Sequence, residues 1–307
     1  MIGELRSCLL FFAKEWRFHL THDLDVLSLL GGEIIPRNLR FHLIKLGRQA
    51  FCGNIGTATS PIATREAAGA MIIQHLLALF LIVVAPVWDH FATQHLKGST
   101  ESRVKIAYYR AMLIIGWMAT VIALVTVGWR AILTFDVGAT NPWWLLQRGG
   151  ARTFVAGVLI GLLLMIALSA LQARRSSAIR EKMEKAFLRL SFILPLTGEE
   201  RIWWIFVSLT AGICEEILYR GFLIHYFRAA PFHVGVLVAV IASSVIFGAA
   251  HLYQGVAGVI STAILGLLFS AIFLTTGTLA VPMILHALID LRVLLILRPK
   301  QQVSAEA

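Results

Sequence analysis

Long apolar runs alternate along the chain with short polar, mostly basic connections. A helix needs about 20 predominantly apolar residues to cross the hydrocarbon core of a bilayer. Seven stretches meet that requirement: 69–88, 111–128, 153–171, 202–226, 234–253, 256–276 and 279–297. The pattern predicts an all-α fold, a polytopic transmembrane helical bundle of about seven to eight spans, with the polar site between helices of its C-terminal part. Trp88, Trp129, Trp143, Trp144, Trp203 and Trp204 fall near predicted span ends, where an amphipathic ring suits the headgroup level. Gly157 and Gly161 form a small-xxx-small pair in the third stretch, a spacing compatible with close helix packing.

Five segments follow: a basic N-terminal region (1–68), N-terminal transmembrane helices (69–171), a basic linker (172–201), the polar-bearing core (202–297) and a short tail (298–307). The linker carries Arg174, Arg175, Arg180, Lys182, Lys185, Arg189 and Arg201, which places it in the cytoplasm by the excess of positive charge. Counting spans puts 89–110, with Lys97, Arg103, Lys105 and Arg110, on the same side, together with Arg298 and Lys300. The first 68 residues break the rule. They hold Lys14, Arg17, Arg37, Arg40, Lys45, Arg48 and Arg65, yet seven spans leave them outside. Either an additional membrane segment lies there, around 7–30, or the region is a basic extension. Its cluster His19, His22, Asp23 and Asp25 reads as an interfacial stretch rather than a metal site.

Composition agrees with a bilayer as solvent. Of 307 residues 58% are hydrophobic and only 14% charged, and the mean hydropathy is +0.79. So few charges cannot cover a soluble fold of this size. The net charge of +10 sits between the apolar runs, where anionic lipid and orientation explain it, so no nucleic-acid partner is expected. The early apolar run 8–13 is too short for a signal peptide and lacks a cleavage site. Cys8, Cys52 and Cys214 have neither disulfide-framework nor zinc-finger spacing.

Ionisable groups within spans cost several kcal/mol on insertion scales, so each is a functional hypothesis. They concentrate in the last third of the chain. The fourth stretch holds Glu215, Glu216 and Arg220, the fifth ends with Phe247 and His251, and the seventh holds His286 and Asp290. The first three hold only Gln74 and His75 of this kind, which read as packing or interfacial residues. Residues four apart share a helix face, about 5–6 Å between Cβ atoms. Glu216 and Arg220 are therefore expected to pair, leaving Glu215 about 100° round the helix. His286 and Asp290 are likewise neighbours, so the carboxylate is expected to orient or polarise the imidazole. Phe247, one turn before His251, is placed to wall that ring. A Glu–Arg pair alone satisfies itself as readily as it works, and a lone histidine is more often packed than reactive. Three such motifs in three spans favour a chemical site.

These motifs resemble the CPBP family, which comprises the CAAX prenyl endopeptidases and the bacterial bacteriocin-processing and immunity proteins called Abi. The family pattern is EExxxR, FxxxH and HxxxN or HxxxD on successive spans. This chain has Glu215-Glu216…Arg220, Phe247…His251 and His286…Asp290 in that order, with Gly221 after the motif arginine. The resemblance covers about 203–297 and implies an intramembrane endopeptidase acting on a membrane-associated peptide or lipidated protein. It implies Glu215 as base, His251 as acid/base partner, and His286 with Asp290 as stabilisers of the oxyanion, with Glu216, Arg220 and Phe247 supporting. Asp290 departs from the Asn of the eukaryotic members, and an ionised Asp cannot donate a hydrogen bond. Orienting His286, favouring its protonated form or binding a cation suits Asp290 better.

With three carboxylates ionised and Arg220 positive, the cluster would carry about −2 in a low-dielectric place, which needs compensation. A divalent metal such as zinc among Glu215, His251 and His286, protonated histidines, or a neutral carboxyl would each supply it. No HExxH signature is present, although members of the family are commonly described as metalloproteases. Two other functions fit buried carboxylates and histidines: an immunity or binding protein without turnover, and a proton-coupled transporter. No convincing inverted repeat favours transport. The expected partners are membrane lipid and the substrate itself, and the expected location is the cytoplasmic membrane of a bacterium.

Overall fold

A computed structural model describes residues 61–99, 101–135, 150–229 and 231–297. The chain divides into two units, Met1–Thr64 and Arg65–Ala307, and the architecture below is that of the second. The expectations for the N-terminal region, Trp143, Trp144, Arg298 and Lys300 lie outside the described residues.

Helix α1 (Pro61–Leu79) runs through one wide turn (Phe80–Val84) into α2 (Ala85–Lys97). Pro86 sits in the first turn of α2 and has no N–H to give; a widened π-type turn just before it absorbs the missing bond. The first span therefore continues past its predicted end, as Ala68–Lys97, and carries Asp89 inside it rather than in a loop. Then follow α3 (Ser102–Val127), the short α4 (Trp129–Leu133), α5 (Gly150–Arg175) and α6 (Ser177–Phe187). Helix α7 (Gly198–Glu215) leads through a second π-type stretch (Glu216–Leu223) into α8 (Ile224–Arg228). The bundle ends with α9 (Val236–Ala249), α10 (Gly255–Thr276), α11 (Ala280–Leu291) and α12 (Val293–Ile296).

The described residues form an α-helical bundle without named strands, and five helices are long and apolar enough to cross a membrane. Large apolar side chains such as Ile72, Leu76, Val125 and Val256 face outward, as lipid contact requires. The fifth and seventh predicted stretches differ from expectation. Helix α9 has 14 residues, about 21 Å of rise against about 30 Å of hydrocarbon. It stops at Ala249 because His251 leaves helical dihedrals and Gly255 takes a positive φ of 78°. The seventh breaks between Leu291 and Val293, where the chain turns at Arg292. A hydropathy window averages across such polar breaks.

Two side chains read as packing residues do tie spans together. Gln74 Nε2 donates to the Thr126 carbonyl at 2.8 Å, and His75 Nδ1 lies 2.8 Å from the Tyr226 hydroxyl. The spacing of Gly157 and Gly161 is not used for close packing among the described residues, since none of them stands within 4 Å of a Cβ built at either. The tight approach occurs instead at Gly212, where a Cβ would stand 2.8 Å from the Met283 carbonyl oxygen and 2.9 Å from the Ala287 Cβ. That contact lets α7 and α11 touch backbone to backbone. Gly212→Val is expected to force them apart, costing about 1–3 kcal/mol and lowering activity with stability. Thermal unfolding in detergent alongside turnover would measure both.

The linker is helical. Along α6, Lys185 pairs with Glu181 at 2.8 Å, four residues apart, and this hydrogen bond holds the Glu181 carboxyl below its ordinary range. The next turn is pinned to the bundle. Thr197 and Glu200 form a reciprocal cap at the start of α7. Glu200 also accepts from Ser102 at 2.6 Å and from Lys105 at 3.1 Å, a buried ion pair that draws α3 to the entry of α7. Trp204, expected at the headgroup level, is instead buried. Its ring lies edge-on to Tyr109, and its Nε1 donates to the Asp290 carbonyl at 3.1 Å.

Candidate active site

The close packing of α7 on α11 brings two helix ends together with their polar cargo. Glu216 is fully buried and Arg220, one turn on, has 1% of its surface exposed. The Arg220 Nη1 donates to Glu216 Oε1 at 3.0 Å, the pair expected from four-residue spacing. The guanidinium lies over the Phe247 ring at 4.0 Å and near Phe269 at 5.5 Å, so aromatic faces on α9 and α10 share its charge. Glycine at 266 makes room, since a Cβ there would stand 3.1 Å from Arg220 Nη2.

His286 is buried on α11, and its Nδ1 lies 2.8 Å from the same Glu216 oxygen. An ionised carboxylate only accepts, so Nδ1–H donates and Nε2 is the nitrogen left for chemistry. Its Nε2 faces Glu215 Oε2 and Asp290 Oδ2, each at 3.7 Å. At that distance neither is a direct hydrogen bond. The orienting partner of His286 is therefore Glu216, across the helix interface, and not Asp290 on its own helix. Glu216 Oε1 thus serves as a hub for Arg220 and His286 together.

His251 occupies the turn after α9. Its Nδ1 lies 2.9 Å from the Phe247 carbonyl oxygen, which accepts, so its Nε2 carries the lone pair in the neutral ring. Phe247 is buried between the two histidines, with ring centroids 4.8 Å from His251 and 6.0 Å from His286. Among the described residues His251 makes no ion pair with Glu215 or Asp290. It lines the same cavity as they do, a space of about 500 Å³ that also meets Phe247 and His286. The buried Oε2 of Glu215 has no hydrogen-bond partner among the described residues. The cavity walls are mainly apolar, from Leu81, Ile115, Ala119, Leu162, Val207 and Leu265 among others.

Polar residues on this cavity that were absent from the expected site include Asp89, Tyr253 and Arg292, with Gln254, Ser261 and Thr262. Asp89 enters from α2 and accepts from the Tyr108 hydroxyl, while Tyr253 and Arg292 line the wall beside the histidine turn and the end of α11. Asp89 sits just past the apolar run of the first span, where a hydropathy profile reads it as loop; the signal that finds it is the Pro86 turn, after which the helix resumes. Asp89→Ala strands the Tyr108 hydroxyl and is expected to destabilise by about 1–3 kcal/mol. Asp89→Asn, which keeps an acceptor, is expected to cost less in an unfolding titration.

Zinc among Glu215, His251 and His286 was one of three expected ways of compensating the charge of the cluster. Among the described residues no group of three or more His, Cys, Asp or Glu side chains is spaced to hold a metal ion. His286 turns Nδ1 to Glu216 and His251 turns Nδ1 to a carbonyl, and the Nε2 of His286 stands 3.7 Å from its carboxylate neighbours.

What this arrangement can do is proton chemistry in a confined place: a carboxylate oxygen without a partner, an oriented imidazole beside it, and a second imidazole across an aromatic ring. Residues 197–292, which include every one of these groups but Asp89, match the family model for the type II CAAX prenyl endopeptidase, Rce1-like. No curated protein and no solved structure matches the chain. Across 197–292 this integral membrane protein is thus similar to the type II CAAX prenyl endopeptidases of the Rce1-like family.

Proposed function

We propose that the protein is an intramembrane endopeptidase that hydrolyses a peptide bond of a membrane-associated peptide or protein through water activated by Glu215 and histidine. The observation that carries this reading is the unpartnered Glu215 oxygen 3.7 Å from an imidazole nitrogen that Glu216 has already oriented, on the wall of one cavity. A carboxylate oxygen without a protein partner is the acceptor a reacting water requires, and one water on the cavity side can bridge it to the imidazole.

In this reading Glu215 takes a proton from water as its oxygen attacks the scissile carbonyl. The Nε2 of His286, when protonated, donates to the oxyanion that forms, while Glu216 holds the ring and Asp290 lies beside it. The proton taken by Glu215 is relayed to the Nε2 lone pair of His251, whose Nδ1 is fixed by the Phe247 carbonyl, and from there to the leaving amine as the C–N bond breaks. Arg220 offsets the charge of Glu216 without facing the cavity, a supporting part. The basic linker and the C-terminal end lie on the cytoplasmic side in the same reading, by the excess of Lys and Arg.

The purified chain in lipid vesicles, given a panel of N-acylated, membrane-tethered peptides in 18O-labelled water, is expected to release products with one heavy oxygen in the new carboxylate. Panels that stay intact with wild type would overturn the peptidase reading.

A further inference from the structure

Asp89 is the carboxylate on the cavity wall that the mechanism above leaves without a task; Glu215 and Asp290 both face His286. It comes from α2, outside the residues 197–292 that match the family model. Its Oδ1 accepts from the Tyr108 hydroxyl of α3, which fixes the carboxyl group in place. Among the described residues its Oδ2 takes no hydrogen bond and no ion pair, and it is not among the polar atoms shut from solvent, as the Glu215 Oε2 is. Tyr108 accounts for an acceptor at this point. It does not account for a charge, because a neutral amide would satisfy the hydroxyl without setting a further carboxylate within electrostatic reach of Glu215. The surroundings suit a cation. Trp88 and Tyr253 line the same cavity, and the Trp88 ring stacks on Tyr108 with centroids 5.9 Å apart. Faces of such rings attract an ammonium or a guanidinium beside a carboxylate.

The packing of α2 sets which part of a substrate Asp89 meets. This helix lies against the turn Leu252–Gln254, which follows directly on His251. His251 serves the leaving amine in the reading above, so Asp89 stands on the side of the departing fragment. We infer that Asp89 is a specificity residue that takes a lysine or arginine side chain of the substrate, shortly after the bond that is cut. This rests on the peptidase reading and narrows its substrates to membrane-associated peptides with a basic residue in the released half. The bond to Oδ2 is charge-assisted, and Tyr108 holds the carboxylate ready for it, so little ordering is left for the moment of binding. An acidic side chain in the same place meets like charge and is rejected.

The test uses the full chain in phosphatidylcholine vesicles and N-acylated peptides of one sequence, with lysine or uncharged norleucine placed at each position in turn around the bond that product masses identify. Wild type is expected to favour lysine at a position after that bond by about tenfold in kcat/KM, mostly through KM. Asp89→Asn keeps an acceptor for Tyr108 and removes only the charge, and it is expected to bring the lysine-to-norleucine ratio close to one. Tyr108→Phe keeps the charge but frees the carboxylate, and it is expected to retain part of the preference. The ratio is internal to each variant, so a loss of folded protein leaves it unmoved. A wild type indifferent to lysine, a preference confined to positions before the bond, or one that survives in Asp89→Asn would each overturn this inference and leave the peptidase reading intact. Failure to cut any peptide would overturn both. A lipid amine is the other source of the same chemistry. If adding phosphatidylethanolamine changes wild-type activity, Asp89→Asn abolishes that response and the lysine ratio never moves, Asp89 serves the headgroup and the inference falls.

Discussion

Glu216→Ala is expected to lower stability by about 3–5 kcal/mol, because it strands the fully buried charge of Arg220. Among the described residues the guanidinium would keep the faces of Phe247 and Phe269 and the more distant charge of Glu215, which offset part of the desolvation but supply no paired counter-charge. The same change releases His286, whose Nδ1 loses its acceptor, so turnover falls along with stability. Two companion variants separate these effects. Glu216→Leu with Arg220→Met replaces the ion pair by apolar volume, which in other proteins is often neutral or stabilising. That double variant is expected to recover most of the lost stability and little of the lost turnover, since His286 remains without its orienting partner. Glu216→Gln keeps a hydrogen-bond acceptor for His286 and is expected to fall between. Chemical unfolding in detergent, read beside kcat, distinguishes the outcomes. Full activity in the stabilised double variant would show that Glu216 serves only to neutralise Arg220.

How far the site could be read from sequence depends on whether its contacts lie within one helix. The Glu216–Arg220 pair was legible because four-residue spacing on a helix makes neighbours wherever the helix lies. For His286 the same rule named Asp290, which does lie on the right face, at 3.7 Å. The stronger partner, Glu216, is 70 residues away and reaches it only because Gly212 lets α7 and α11 close together. Spacing cannot report a contact that depends on the crossing of two helices. Small residues show the same limit. Gly157 and Gly161 have the spacing of a packing motif and meet nothing among the described residues, while Gly212 and Gly248, with no motif, sit where Cβ atoms would collide with the Met283 and Val259 carbonyls. Membership of the bundle was legible from hydropathy; the polar breaks that shorten α9 and α11 were not, because averaging over a span hides a single turn at His251 or Arg292. Asp89 was lost for the opposite reason, since a helix that continues past its apolar run carries a charge where the profile has already ended.

Glu215→Gln is expected to reduce kcat by about 10²- to 10⁴-fold, the range a positioned general base supplies, with KM and unfolding midpoint little changed. Stability is spared because the buried Oε2 of Glu215 makes no hydrogen bond among the described residues, so an amide of the same shape removes no recorded protein partner. His251→Ala is expected to cost a comparable factor if proton delivery to the leaving amine limits the rate, and the pair of substitutions together should cost little more than the worse of the two, since groups that act on one transition state are grossly non-additive. Arrangement within the cavity predicts a difference between them. His251 is fixed by a carbonyl of its own turn and approaches from the far side of Phe247, so an exogenous imidazole small enough for the cavity is expected to restore part of the His251→Ala activity. Glu215 stands 3.7 Å from the Nε2 of His286 in a tighter place, and added acetate or formate is expected to restore much less. Multiplicative losses in the double variant would mean that the two groups act in separate steps, which would replace the single proton path from Glu215 to the leaving amine with two.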